Sequence, residues 1–243
     1  MRTYSFENLL RQTANRFGID IHRYRPETSG IGRLTTMLEK HGVDLVLDVG
    51  ANIGQFAQSL RSAGYTRRLL SFEPVSTAYT QLLRVSQKDT QWEIAPRVAI
   101  GDRSGEIEMH IAGNSVSSSA LEMLDSHVGA APSSIYVGSE RVALSRLDSM
   151  VCDYLNPDTV PFLKIDTQGY EDRVLDGAPD LLTKVRGVQL ELSFVPLYEG
   201  QKLFDDFVKR LRASGFSIWA IWPGLCDPYS GRMLQVDAAF FRD

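Results

Sequence analysis

The stretch Asp44 to Gly54, DLVLDVGANIG, limits most sharply what this chain can fold into. Leu45, Val46, Leu47 and Val49 form an apolar run with little alternation, which predicts a strand buried on both faces. Asp48 sits at its carboxyl end, and Gly50, Asn52 and Gly54 follow at spacing two. Glycine tolerates positive φ and close backbone approach, and Asn tolerates positive φ better than most residues. From Gly54 the pattern turns helical, with Phe56, Ala57 and Leu60 on one face. Strand, tight turn and helix N-terminus make a cradle for a nucleotide-like ligand at the carboxyl edge of a parallel sheet.

The spacing Gly-x-Asn-x-Gly departs from Gly-x-Gly-x-x-Gly, which weakens a dinucleotide reading. Arg68 to Phe72 predict another strand, and Glu73 ends it about twenty residues past the last glycine, where an acid can accept hydrogen bonds from ribose hydroxyls. Asp48 and Glu73 together suit S-adenosylmethionine, whose sulfonium and amine are cationic and whose ribose hydroxyls are free. An ordinary turn followed by a solvated acid is the simpler alternative.

The 243 residues allow one α/β domain with decorations, read as an N-terminal helical extension over 1–43 and a main domain over 44–243. A net charge of −4 without runs of like charge gives no nucleic-acid footprint. There is no apolar leader and no stretch approaching a membrane span, so a cytoplasmic protein is expected. Cys152 and Cys226 are far apart and read as buried reduced thiols. Phe6, Leu9, Leu10, Thr13 and Phe17 predict an amphipathic helix over 3–17, packed on the domain or mediating a homo-oligomer. Arg23, Tyr24, Arg25 and Pro26 lie in an extended connector, either a surface loop or part of a substrate mouth.

Trp92 to Ile100 reads as a third strand broken by Pro96, followed by a turn and a returning hairpin strand over Glu106 to Ile111. Asp102, in that turn, either reaches an adenine amine or simply forms the turn. Residues 113–139 are rich in Ser, Ala and Pro and read as a lid over the ligand, with His127 a candidate general base. Val160 to Ile165 is another apolar strand that delivers an acid, Asp166, to its end, and Val188 to Leu192 carries Glu191 near its own. Neighbouring parallel strands align their ends, so Asp166 and Glu191 are expected to converge beside the glycine loop. There they would hold a hard divalent cation such as Mg²⁺, or one would act as general base. Tyr198, Trp222, Tyr229, Arg232 and Gln235 offer a polar and aromatic wall for a sugar, though core packing explains the aromatics equally well. The last strand, Asp237 to Phe241, follows a hairpin and is expected to be antiparallel.

The segments DVGANIGQF, FEPVSTAYTQL, VAIGDRSG, the serine run, VALSRLDS, FLKIDTQGYEDRVLDGA and GVQLELSF resemble, in order, those of FkbM-type S-adenosylmethionine-dependent methyltransferases. RYRPETS, SFVPLYEG and GRMLQVDAAFF look like the branch among bacterial glycolipid and polysaccharide O-methyltransferases. The resemblance implies a Rossmann-like class I methyltransferase: a mostly parallel seven-stranded sheet, helices on both faces and a last antiparallel strand. It implies methyl transfer to a hydroxyl, often of a sugar, glycolipid or oligosaccharide. It assigns cofactor roles to Asp48, Gly50, Asn52, Gly54 and Glu73, and matches Asp166 and Glu171 to a Lys-Ile-Asp-x-x-Gly-x-Glu segment. Thr167-Gln168 stands where the family commonly has Val-Glu. A non-catalytic adenosyl-binding module and an NAD-dependent oxidoreductase remain as alternatives.

Overall fold

The computed structural model describes residues 3–19 and 29–242; the connector containing Arg23 to Pro26 lies outside them. In chain order the elements are α1 (Thr3–Asn15), α2 (Gly30–Lys40), β1 (Leu45–Val49), α3 (Gln55–Ser62), β2 (Arg68–Phe72), α4 (Ser76–Ser86), β3 (Trp92–Ile94), β4 (Ala99–Gly101) and β5 (Gly105–Ala112). They continue with α5 (Asp125–Ala130), β6 (Tyr136–Arg146), α6 (Leu147–Val151), β7 (Pro161–Ile165), α7 (Glu171–Asp176), α8 (Pro179–Lys184), β8 (Gly187–Ser193), α9 (Phe204–Ala213), β9 (Ser217–Pro223) and β10 (Gln235–Phe241).

Seven strands make one sheet in the order β3-β2-β1-β7-β8-β10-β9. The strands from β3 to β8 pair in parallel, and β10 runs antiparallel to both β8 and β9. Every residue of β1 and of β7 is buried, because both faces of the sheet are covered. Leu45, Leu47, Leu163 and Ile165 face a core completed by Leu147, Val174, Leu181 and Phe207 from α6 to α9. Val46, Leu69 and Phe162 face the other way, onto Leu34, Leu38, Ala57 and Leu60 of α2 and α3. Each such side chain contributes roughly 1.5–3 kcal/mol by leaving water, which is why continuous apolar runs rather than alternating ones mark these strands.

The segment around Pro96 differs from the sequence expectation. Trp92–Ile94 closes the main sheet, whereas Ala99–Gly101 belongs to a second, three-stranded sheet of order β4-β6-β5. Proline lacks the N–H a ladder needs and separates the two pieces. The partner of β5 is therefore β6, antiparallel through pairs such as Glu108 with Arg141, and not the preceding strand. On α1, Leu9 and Leu10 are exposed, and Phe17 just beyond it is 78% exposed, so these side chains do not pack on the domain. Cys152 and Cys226 are free and exposed, not buried. Among the described residues no helix is long and apolar enough to cross a membrane.

Candidate active site

A cavity of about 410 Å³ opens at the carboxyl ends of β1, β2, β7 and β8. Its floor is the turn after β1. Gly50 has φ +81°, and a Cβ there would lie 1.8 Å from the Asp166 carbonyl oxygen, so only glycine lets the β1 and β7 loops meet. Asn52 also sits at positive φ. Its backbone N–H donates to Glu73 Oε2 at 2.8 Å, and its side chain donates to the Ser115 carbonyl at 3.1 Å. That second bond pins the serine-rich segment at the cavity, where Ser115, Val116 and Ser118 form part of the lining.

Glu73 is buried at the rim and lines the cavity. Its Oε1 accepts the Val75 N–H at 2.7 Å. Burial pushes its carboxyl up to about 7 against the pull of the Val75 and Asn52 N–H groups. Each oxygen keeps a lone pair free for a hydroxyl donor. Beside it, Phe72, Pro74, Val98, Ile100, Met109 and Tyr170 border a narrow apolar recess that shares Gly50, Pro74 and Met109 with the cavity wall.

Of the predicted cofactor residues, Gly50, Asn52 and Glu73 reach this cavity and three do not. Asp48 is fully buried, 3.0 Å from Lys164 Nζ, and accepts a hydrogen bond from Ser71 Oγ at 3.3 Å. Gly54, at φ +89°, caps the N-terminus of α3 and packs against the Trp92 ring, where a Cβ would lie 2.6 Å away. Asp102 is held by Arg103 at 3.0 Å and Arg173 at 3.2 Å, because β4 leaves the main sheet and carries the turn with it.

Sequence reasoning missed Lys164. It is 5% exposed, lines the cavity, donates to the Gly50 carbonyl at 3.2 Å and lies 3.5 Å from Asp166 Oδ2. Burial draws its ammonium down, but Asp48 and Asp166 outweigh that and hold it above its ordinary value. The signal was one lysine in an apolar strand; the register Asp48–Lys164 that gives it a partner is visible only in the sheet. Ser71 and Gln189 extend the same row, so a polar seam crosses β2, β1, β7 and β8 beneath the cavity.

Asp166 lines the cavity, but Asp166 and Glu191 do not fit the expected shared cation. The Gln168 Nε2 donates to Asp166 Oδ1 at 2.8 Å and to Glu191 Oε2 at 2.6 Å, so an amide already bridges the two carboxylates. Gln235, expected to contact substrate, donates to the same Glu191 oxygen at 3.0 Å. Among the described residues no group of three or more His, Cys, Asp or Glu is arranged to hold a metal ion. Burial first, then Asp166 and Asp237, raise the Glu191 carboxyl well above its usual range. Glu171 is buried as well. It accepts the Thr167 and Gly169 N–H groups at 2.8 and 3.2 Å and so shapes the loop after β7.

The remaining predicted contacts lie elsewhere. Tyr198 is 0% exposed, and its hydroxyl donates to Gln168 Oε1 at 2.7 Å, making it a support for the amide bridge. His127 is buried on α5, edge-on to the Tyr198 ring, and does not line the cavity. Tyr229 is 89% exposed, and Arg232 is exposed on the same turn between β9 and β10. The polar and aromatic character of that turn carries no information on which way it points.

Residues 48–218, more than half of the chain, match the methyltransferase FkbM domain. The chain is 27% identical over 175 residues to the 2-O-methyltransferase NoeI of Sinorhizobium fredii (strain NBRC 101917 / NGR234), covering 70% of this chain and 71% of that protein. Similar solved structures include magnesium protoporphyrin IX methyltransferase (ChlM) from Synechocystis PCC 6803 with bound SAM, at TM-score 0.46, 13% identity, and 98% and 97% coverage. Another is the 1,6-didemethyltoxoflavin-N1-methyltransferase of Burkholderia thailandensis with S-adenosylhomocysteine, at TM-score 0.44, 13% identity, and 100% and 92% coverage. With its parallel sheet, its glycine cradle and this match, the chain belongs to the FkbM family of S-adenosylmethionine-dependent methyltransferases.

Proposed function

We propose that the protein methylates a hydroxyl of a sugar in a glycolipid or polysaccharide precursor. The observation that carries the reading is the cavity itself, which brings the Gly50 turn, Glu73 and Asp166 to one wall. Its likeness to a 2-O-methyltransferase supports oxygen as the acceptor atom.

S-adenosylmethionine, when bound, supplies a methyl group already activated by its sulfonium. The protein's own residues bind it, align the acceptor and remove a proton. Glu73 is suited to accept both ribose hydroxyls, and the apolar recess beside it suits a flat base. The Asn52–Ser115 contact holds the serine-rich segment beside the site. As the acceptor oxygen gains the methyl, its proton passes to the Asp166 carboxylate. Lys164 and the Gln168 amide hold that carboxylate in place. Asp48 acts as a positioning residue through Lys164. No step is assigned to a metal ion, given the amide between Asp166 and Glu191.

Transfer of radiolabelled methyl from S-adenosylmethionine to a panel of glycosides tests the reading. Labelled glycoside is expected from the wild type, with kcat lowered about a hundredfold or more in Asp166→Asn. Labelling of no glycoside, or an unimpaired Asp166→Asn, would contradict it.

A further inference from the structure

A second cleft of about 320 Å³ adjoins the cavity. The two share Gln55, Phe56, Gln189 and Asp237. The outer wall comes from α2 through Ile31 and Leu34, from Ser59 of α3, and from Trp222 near the end of β9. The fold builds this wall deliberately. Register places Trp222 opposite Asp237 across the β9–β10 ladder, and Gln189 beside Lys164 across β7–β8. Gly30, the first residue of α2, lies so close to the indole that a Cβ there would be 2.8 Å from Trp222 Cδ1.

The lining is amphiphilic. Ile31, Leu34, Phe56 and Trp222 form an apolar side, and Gln55, Gln189 and Asp237 a polar edge. Two buried polar atoms in it lack partners: the Trp222 indole N–H, a donor, and Gln189 Oε1, an acceptor. Gln189 Nε2 donates to Asp237 Oδ1 at 3.2 Å and so holds the pair at the junction of the two spaces. An unpartnered buried polar group costs about 1–3 kcal/mol, and such groups in native proteins call for an explanation. A rotation of either side chain that turned these atoms into the cleft would pair them with hydroxyls, which both donate and accept. Among the described residues no lysine or arginine lines the cleft, and the Asp237 carboxylate disfavours an anion.

We infer that this cleft is the acceptor subsite, taking a neutral pyranoside with its C–H face toward Trp222 and Phe56 and its hydroxyls toward Gln189 and Asp237. The inference rests on the sugar reading above and goes beyond it by placing the acceptor and naming the residues that select it. Trp222, Gln189 and Asp237 then determine acceptor affinity, while Asp166, inside the cavity, receives the proton.

Saturation-transfer NMR with methyl gluco-, galacto-, manno- and 6-deoxyhexopyranosides, run with and without S-adenosylhomocysteine, reads the cleft without turnover. Calorimetry with S-adenosylhomocysteine reads the cavity. At least one pyranoside should bind the wild type. Ser59→Trp, an exposed helical position whose new ring fills the cleft, and Trp222→Phe should each weaken it about tenfold or more while donor affinity stays within about twofold. Absence of pyranoside binding, or undiminished binding by Ser59→Trp, would overturn the inference. Failure of the wild type to bind S-adenosylhomocysteine would instead remove the donor reading, leaving the pyranoside titration to decide the cleft alone.

Discussion

Lys164 Nζ lies 3.0 Å from Asp48 Oδ1, with the two residues buried on adjacent parallel strands. Removing Lys164 strands the fully buried Asp48, whereas removing Asp48 leaves Lys164 with Asp166 3.5 Å away and with the cavity it lines. Lys164→Ala is expected to cost about 3–5 kcal/mol and Asp48→Ala less, read as a fall in the urea midpoint. The double variant Asp48→Leu/Lys164→Met should recover much of that loss. Independent, additive losses would mean that the pair does not interact.

How far the sequence foretells this arrangement depends on range. The ends of β1 and β7 are legible because continuous apolar runs mark strands covered on both faces, and an acid and a glycine mark where each run stops. Glu73 and Gly50 follow from the same local grammar. The Lys164 pair does not, since a single lysine in LKI reads equally well as a surface residue until register supplies Asp48. Which of the two readings of Asp102 applies is not legible, because the small sheet that carries its turn depends on β6, some forty residues later, pairing beside β4. Tyr198 and Tyr229 are alike in sequence, yet one supports Gln168 in the interior and the other projects from a turn.

Glu73 ties donor affinity to pH. Its folded carboxyl titrates near 7, so in the free protein it is largely protonated below that and ionised above. Ribose hydroxyls favour the ionised acceptor, so S-adenosylhomocysteine should bind more tightly at pH 8 than at pH 6 and release protons on binding. Calorimetry in buffers of different ionisation enthalpy reads this directly. The stability of the free protein runs the opposite way. A carboxyl raised on folding contributes stability that is complete below its unfolded value and is lost as pH rises through about 7. Glu73 and Glu171 both act in this sense, so the melting temperature is expected to fall from pH 6 to pH 8.5, and less so in Glu73→Gln and Glu171→Gln.

Gly50→Ala should be among the most damaging single changes to the cradle. It forces a side chain onto positive φ and into the Asp166 carbonyl, at a cost of about 3 kcal/mol or more. Urea unfolding measures the loss; a variant as stable as the wild type would show that the β1 and β7 loops are not in contact.

The amide of Gln168 separates two acids, and an acid in its place would make three. Gln168→Glu is expected to lower the melting temperature at pH 8, with partial recovery toward pH 5 as the cluster takes up protons. A pH-independent effect would point to packing against Tyr198 as the role of this side chain.

The central claim is that the cavity at the strand ends holds the methyl donor through Glu73. Its most direct test is calorimetric titration of wild type and Glu73→Gln with S-adenosylhomocysteine at pH 8, with NADH as the control. One donor molecule per chain should bind the wild type, about tenfold to a hundredfold more weakly the variant, and NADH neither. Equal donor affinity in the two proteins, or binding of NADH alone, would contradict the account.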